Sequence, residues 1–161
     1  TYASAMVGSK LVLPGPNLDG KSIVSLINNE NITMSFAIPT IWEEVLEELD
    51  RSGEKLNNLD RILSGGTTVP EWIIRKFKNN YGVNIIHAWG MTETSPLGTA
   101  NSPLGTHDNL SDRQKIEKMY SAGRSNWSVQ IKIVDEYGKE LPRDGESEGD
   151  LLVKGLSLIH I

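Results

Sequence analysis

Residues 61–90 read RILSGGTTVPEWIIRKFKNNYGVNIIHAWG, and this stretch decides the fold. Ile62-Leu63 is a short apolar run that stops at Gly65-Gly66, as a buried strand does. Pro70 suits the first turn of a helix, where a missing N–H leaves no bond unmade. Trp72, Ile73 and Phe77 are expected to face the core, and Gly82 to close the helix. Asn84 to Trp89 reads as the next strand. A strand, a helix and a second strand at this spacing imply parallel pairing, with the helix packed on the sheet.

The same alternation extends upstream. Lys10-Leu11-Val12-Leu13 reads as a buried strand stopped by Pro14-Gly15-Pro16. Asp19 can cap a helix whose Ile23, Val24, Leu26 and Ile27 form an apolar stripe. Met34 to Ile38 reads as a strand ended by Pro39. Thr40 with Glu43 makes a capping box for a helix with Ile41, Trp42, Val45, Leu46 and Leu49 on one face. Glu43, Glu44, Glu47 and Glu48 on the other face read as a solvated surface.

Downstream the texture changes. Leu97 to Leu110 is rich in Gly, Pro, Ser, Thr and Asn and reads as an extended loop. Ser111 and Gln114 can cap a short charged helix through Tyr120. Val129, Ile131 and Ile133 alternate with polar residues, the period of a half-buried strand. Glu136 to Lys139 reads as a turn and Asp150 to Lys154 as a further strand. The expected division is an α/β subdomain over 1–110, a connecting helix and loop over 111–125, and the start of a β subdomain over 126–161. Trp42, Trp72 and Trp127 are expected in cores, and His107 and His160 at the surface or in loops. Two glycosylation sequons, at Asn31 and Asn126, read as chance matches.

Composition bounds the function. The 161 residues hold 16 Lys+Arg against 21 Asp+Glu, a formal charge of −5, which argues against a nucleic-acid partner. With Cys 0, the chain has no disulfide framework, thiolate metal site or thiol nucleophile. No apolar run approaches the roughly 20 residues that span a bilayer. Thr1 rather than Met stands first, without a charged-then-apolar leader, so an internal piece of a longer chain is expected.

Two segments could hold phosphate. Gly15 to Ser22 satisfies G-x-x-x-x-G-K-[ST] between an expected strand and an expected helix. Pro16 removes an N–H from that cradle, and Asp19 would set a carboxylate beside a polyphosphate. No later strand ends in the Asp expected to help hold Mg²⁺, so a turn and an Asp-capped helix is the better reading. The second candidate joins Gly65-Gly66-Thr67 to His87-Ala88-Trp89-Gly90-Met91-Thr92-Glu93-Thr94-Ser95-Pro96. Both loops would leave the carboxyl ends of parallel strands, where open α/β sheets bind ligands. Small residues admit a flat ring or a phosphoester. Thr92 offers a hydroxyl, and Glu93 a hard oxygen suited to Mg²⁺. On these residues alone, each segment reads equally as a tight turn and a loop.

Their order is what carries a resemblance. Ser64 to Pro70, Tyr81-Gly82-Val83 and then His87 to Pro96 resemble the adenylate-forming acyl-CoA synthetases, the AMP-binding superfamily. Trp89 to Pro96 is similar to the family's aromatic-Gly-Met/Leu-Thr-Glu motif. Trp at its first position, with His-Ala before it, looks most like medium- and long-chain fatty acyl-CoA synthetases. The similarity continues through Val7 to Gly15 and Asp135 to Gly155. Leu156 to Ile161 departs from the family pattern.

The resemblance implies a role for each matching residue. Gly65, Gly66 and Thr67 would border the adenine and acyl pockets. His87, Ala88, Trp89, Gly90 and Met91 would line the nucleotide, with Trp89 stacking near the adenine. Thr92 would bind the α-phosphate and Glu93 would hold Mg²⁺, making these two the catalytic pair. ATP, Mg²⁺ and coenzyme A are the implied cofactors and co-substrates, with a fatty acid as the substrate. The family's upstream phosphate loop, ribose-binding Asp and mobile C-terminal domain fall outside these residues, so the chain alone is not expected to turn over. A cytoplasmic place is implied, with peripheral membrane association and a homodimer of the full-length protein left open. A synthetase for another carboxylic acid, a P-loop NTPase and a non-catalytic binding module are the alternatives.

Overall fold

Where the helices begin and end follows from a few capping residues. In the computed structural model, which describes residues 2–107 and 109–155, α1 (Tyr2–Met6) is followed by irregular chain. The strand expected over Lys10–Leu13 does not form: these residues lie without regular structure, and Leu11 and Leu13 are exposed. A strand needs a neighbour for its N–H and C=O groups, and no described strand lies beside this one. Lys10 instead pairs with Glu30. The α2 helix (Gly20–Asn29) is capped by Asp19, whose Oδ1 accepts from the Ser22 N–H at 3.0 Å.

After β1 (Met34–Ala37), α3 (Pro39–Ser52) starts two residues earlier than expected. Ile38 is its cap and makes no side-chain bond there, so the Thr40–Glu43 capping box is not formed. The reason is Pro39, whose fixed φ and missing N–H already suit the first turn. Gly53, at φ 73°, closes α3. Its inner face is Trp42, Val45, Leu46 and Leu49, as expected.

The decisive stretch folds as β2 (Arg61–Ser64), α4 (Glu71–Tyr81) and β3 (Asn84–Gly90). Gly82 closes α4 at φ 70°. One expectation fails there: Ile73, Ile74 and Phe77 are buried, whereas Trp72 is 49% exposed. At 100° per residue the buried set centres near Phe77, and Trp72 projects about 150° away from it.

Three strands run parallel in the order β1-β2-β3, in the register Ser35↔Ile62↔Ile85 and Ala37↔Ser64↔His87. The sheet continues in antiparallel fashion through β4 (Leu97–Ala100) and β5 (Arg124–Ser125). The extended loop expected over Leu97–Leu110 therefore begins as a strand. Its Leu-Gly-Thr-Ala has little strand propensity of its own and depends on β3 for pairing. The capping box of Ser111 and Gln114 opens α5 (Asp112–Tyr120) as expected. Finally β6 (Val129–Val134) and β7 (Asp150–Gly155) form a separate antiparallel pair. Asp135 Oδ1 accepts from the N–H groups of Tyr137 and Lys139, which fixes the turn after β6.

The core lies between one face of the five-stranded sheet and the helices. Ile62 and Ile85 meet Val24, Ile27, Trp42, Leu46, Ile73, Phe77 and Ile116 there. Trp42 and Phe77 stack edge-to-face at 5.9 Å. The opposite sheet face carries the register row Phe36↔Leu63↔Ile86, and Phe36 is 67% exposed. Trp127, expected in a core, is 93% exposed in the turn before β6, where Asn126 rather than the indole makes the anchoring bonds. His107 sits in the single turn Gly105–His107 with its Nδ1 3.5 Å from the Leu104 N–H. His160 and the atypical 156–161 segment lie outside the described residues.

Candidate functional site

Parallel pairing puts the carboxyl ends of β2 and β3 side by side, with Ser64 opposite His87. The Gly65-Gly66-Thr67 loop and the loop from Met91 onward thus leave one edge of the sheet. Gly65 is buried against β3: a Cβ there would lie 2.3 Å from the Ala88 carbonyl oxygen. Gly66 has φ 91° and is exposed, as is Thr67. Any other residue at Gly65 would push the two loops apart, so glycine is required by close approach.

The second loop is held by a residue that sequence reasoning did not single out. Thr94 is buried, and its Oγ1 accepts from the Met91 N–H at 3.0 Å. The same hydroxyl lies 2.9 Å from the Met91 carbonyl and 2.7 Å from the Pro96 carbonyl, either of which accepts its proton. The turn Thr92–Thr94 closes through a Thr94 N–H to Met91 carbonyl bond of 3.0 Å. Gly90 faces the returning chain, where a Cβ would stand 1.9 Å from the Pro96 carbonyl oxygen. Thr92 and Met91 are exposed at the tip, and Glu93 is half-buried beside them. The signal for Thr94 was its spacing from Thr92 ahead of a proline, a pattern that alone does not say which hydroxyl turns inward.

Trp89 is half-buried, and its ring lies across Gly98 on β4, where a Cβ would come within 2.5 Å of the indole. Ala88 is buried beneath Gly65. His87 is buried, and its Nδ1 donates to the Tyr120 carbonyl at 3.0 Å. Two more side chains grip the end of α5. Thr99 Oγ1 donates to the Ala122 carbonyl at 2.7 Å, and Asn101 Nδ2 to the Ser121 carbonyl at 2.9 Å. Carbonyls at a helix C-terminus have no partner within the helix; His87 supplies that of Tyr120, and Asn101 and Thr99 bond those of the two residues that follow. Neither Thr99 nor Asn101 stood out in the sequence, because their partners lie about 20 residues away.

The structure therefore brings Gly65, Gly66 and Thr67 next to the His87–Glu93 segment at one sheet edge. A cavity lies elsewhere, away from both loops. It is about 700 Å³, lined by Gln130, Lys132, Arg143, Leu152 and Lys154 of the β6–β7 region, and includes no residue of the two loops. As for a metal, no group of three or more His, Cys, Asp or Glu is clustered among the described residues. A single carboxylate such as Glu93 still suits Mg²⁺ that arrives on ATP, because phosphates and waters fill most of its coordination.

The rival Gly15–Ser22 segment has a different occupation. The Ser22 N–H is already bonded to Asp19, whose carboxyl is held below its ordinary range chiefly by that bond. Gly20 packs on α3, where a Cβ would lie 2.1 Å from the Glu44 carbonyl oxygen. The glycine answers to helix packing, and the N–H that a phosphate would use is taken.

Loops at the carboxyl ends of parallel strands are where open α/β sheets bind ligands. The chain belongs to the AMP-binding enzyme family, whose model matches residues 1–160. It is 46% identical over 154 residues to a medium-chain-fatty-acid–CoA ligase of Ectopseudomonas oleovorans, covering 96% of this chain and 28% of that protein. It is 44% identical to a 3-methylmercaptopropionyl-CoA ligase of Ruegeria lacuscaerulensis, covering 96% of this chain and 29% of that one. Among solved structures, o-succinylbenzoate CoA synthetase from Bacillus subtilis with its acyl-adenylate intermediate superposes with TM-score 0.73 at 26% identity, covering 96% and 28% of the two chains. The chain thus spans under a third of the length of these relatives.

Proposed function

We propose that the chain is part of an ATP-dependent fatty acid–CoA ligase. In the first step a fatty carboxylate attacks the α-phosphorus of Mg·ATP, giving acyl-adenylate and pyrophosphate. The thiol of coenzyme A then displaces AMP. A carboxylate resists nucleophiles until one oxygen belongs to a good leaving group, so adenylation makes the second step feasible. Catalysis is then positioning and neutralisation of charge around an in-line phosphoryl centre.

The reading rests on one observation: the Thr92–Glu93 turn stands at the end of β3, beside the Gly65–Gly66 loop, in a chain of this family. In it, Thr92 binds the α-phosphate and Glu93 the Mg²⁺, which neutralises phosphate charge when bound. Gly65, Gly66 and Thr67 border the adenine and acyl pockets. His87, Ala88, Trp89, Gly90 and Met91 line the nucleotide. Carboxylate-dependent pyrophosphate release by the full-length enzyme, across a fatty-acid length series, is the test. Glu93→Gln is expected to lower kcat at least about a hundredfold while the fold is retained. Unchanged release by Glu93→Gln, with loss on Lys21→Ala, would overturn the assignment in favour of the Gly15–Ser22 loop.

One observation favours a second substrate. A relative at 44% identity is named for 3-methylmercaptopropionyl-CoA, so a short thioether acid belongs in the same assay. No described helix is long and apolar enough to cross a membrane, which is compatible with a cytoplasmic enzyme. Residues 1–161 alone are expected to form no acyl-CoA in a coupled assay. A homodimer of the full-length protein is part of the same reading, and sedimentation velocity measures it.

A further inference from the structure

We propose that Thr94 is a positioning residue for adenylation: its buried hydroxyl sets the rotation of the Thr92–Thr94 turn, and with it the directions in which Thr92 and Glu93 point. This role rests on the proposed ligase reaction and passes from the residues that touch Mg·ATP to the residue that aims them. Two threonines stand two places apart in this segment, and the structure separates them. Thr92 is exposed at the tip, whereas Thr94 is only 7% exposed.

The Thr94 hydroxyl has both of its roles filled. It accepts from the Met91 N–H at 3.0 Å, before the turn, and lies 2.7 Å from the Pro96 carbonyl, after it. One side chain thus joins the strand entering the turn to the strand leaving it, with the Met91 carbonyl at 2.9 Å as its alternative acceptor. The backbone closes on the same axis: the N–H groups of Thr94 and Ser95 bond the carbonyls of Met91 and Thr92 at 3.0 and 3.1 Å. The Pro96 carbonyl is also where Gly90, the last residue of β3, makes its close approach. In a 3₁₀ turn successive side chains lie about 120° apart. With Thr94 turned into the protein, Thr92 and Glu93 take the two remaining directions, at the end of β3 beside the Gly65–Gly66 loop. Without that anchor the turn can roll about its axis, carrying the Thr92 hydroxyl and the Glu93 carboxylate out of place while their own chemistry is unchanged. The hydroxyl is what matters: valine has the same shape but offers the Met91 N–H no acceptor.

The test uses the full-length enzyme. Thr94→Val is expected to lower kcat for carboxylate-dependent pyrophosphate release about tenfold to a hundredfold, and Thr94→Ser, which keeps the hydroxyl, to stay within about threefold. A double-substitution cycle separates aiming from support of the fold. In a Glu93→Gln background the effect of Thr94→Val is expected to be at least about threefold smaller, because the carboxylate it aims is already gone. A residue that only stabilises the fold would lower the unfolding midpoint and leave the two effects multiplying independently. In the ligand-free enzyme, hydrogen exchange at the Met91 amide is expected to accelerate about tenfold in Thr94→Val and to stay within about twofold in Thr94→Ser. Thr94→Ala carries the same comparisons if the valine variant does not fold. A kcat within about twofold of the unsubstituted enzyme, independent effects across the cycle, or an unaccelerated Met91 amide overturns the proposal. If the unsubstituted enzyme releases no pyrophosphate with any carboxylate, the functional reading itself fails and this role falls with it. Release by that enzyme together with an indifferent Thr94→Val sinks the positioning role alone.

Discussion

Thr94 shows how one side chain decides the shape of a loop. Its hydroxyl bonds to both ends of the 91–96 turn, so Thr94→Val keeps the shape and removes every one of those bonds. The expected loss is about 0.5–1.5 kcal/mol in denaturant unfolding, the net worth of a hydrogen bond that closes the turn. Asp144 makes a second residue-scale case. The backbone N–H of Ser147, then that of Glu146 and the Ser147 hydroxyl, hold its carboxyl down to about 2 from the usual 3.8. A depressed value means that the carboxylate's contribution is complete above the ordinary value and is lost as pH falls through about 2. Amide exchange at Glu146 and Ser147 is therefore expected to accelerate across that window, and Asp144→Asn to flatten the response. Thr92 and Glu93 stood out in the sequence as candidates through the order of the motifs around them. Thr94 and Thr99 did not, since a small hydroxyl has meaning only once its partner is known.

Elements were read well where local pattern and tertiary need agree. Asp19, Gly82 and the Ser111–Gln114 box each act where the sequence placed them, because a cap is satisfied within one turn. Trp72 misleads because its size suggests burial, while its angular position on α4 places it opposite Phe77. The two adjacent sites make a direct test. Ile74→Ala is expected to cost about 2–5 kcal/mol through a cavity, and Trp72→Ala within about 0.5 kcal/mol as an outward substitution. Comparable losses at both sites would contradict the helical phase seen here. The strand over Leu97–Ala100 escaped because its pairing partner supplies most of the order. The strand expected over Lys10–Leu13 failed for the complementary reason: apolar residues alone do not pair without a neighbour.

At the scale of the whole molecule, the α/β class and the common edge of the two loops followed from alternation alone. The sheet's second face did not. Parallel sheets are ordinarily covered on both sides, yet here Phe36 and Met34 lie exposed beside the half-buried Leu63 and Ile86. The 161-residue chain on its own is expected to bind a hydrophobic dye and to self-associate. Phe36→Ser should reduce both without lowering the unfolding midpoint, as measured by fluorescence and light scattering; an unaffected dye signal would show that the row is not the exposed surface responsible.

The indole of Trp89 resting on Gly98 carries a different consequence, one of inheritance. The ring occupies the space that any side chain at 98 would need, so the two positions cannot drift independently. A descendant that exchanges Gly98 first loses the seat of the indole, whereas one that first trims Trp89 leaves position 98 free to vary. At this corner of the site a smaller residue at Trp89 is therefore the condition for any side chain at Gly98.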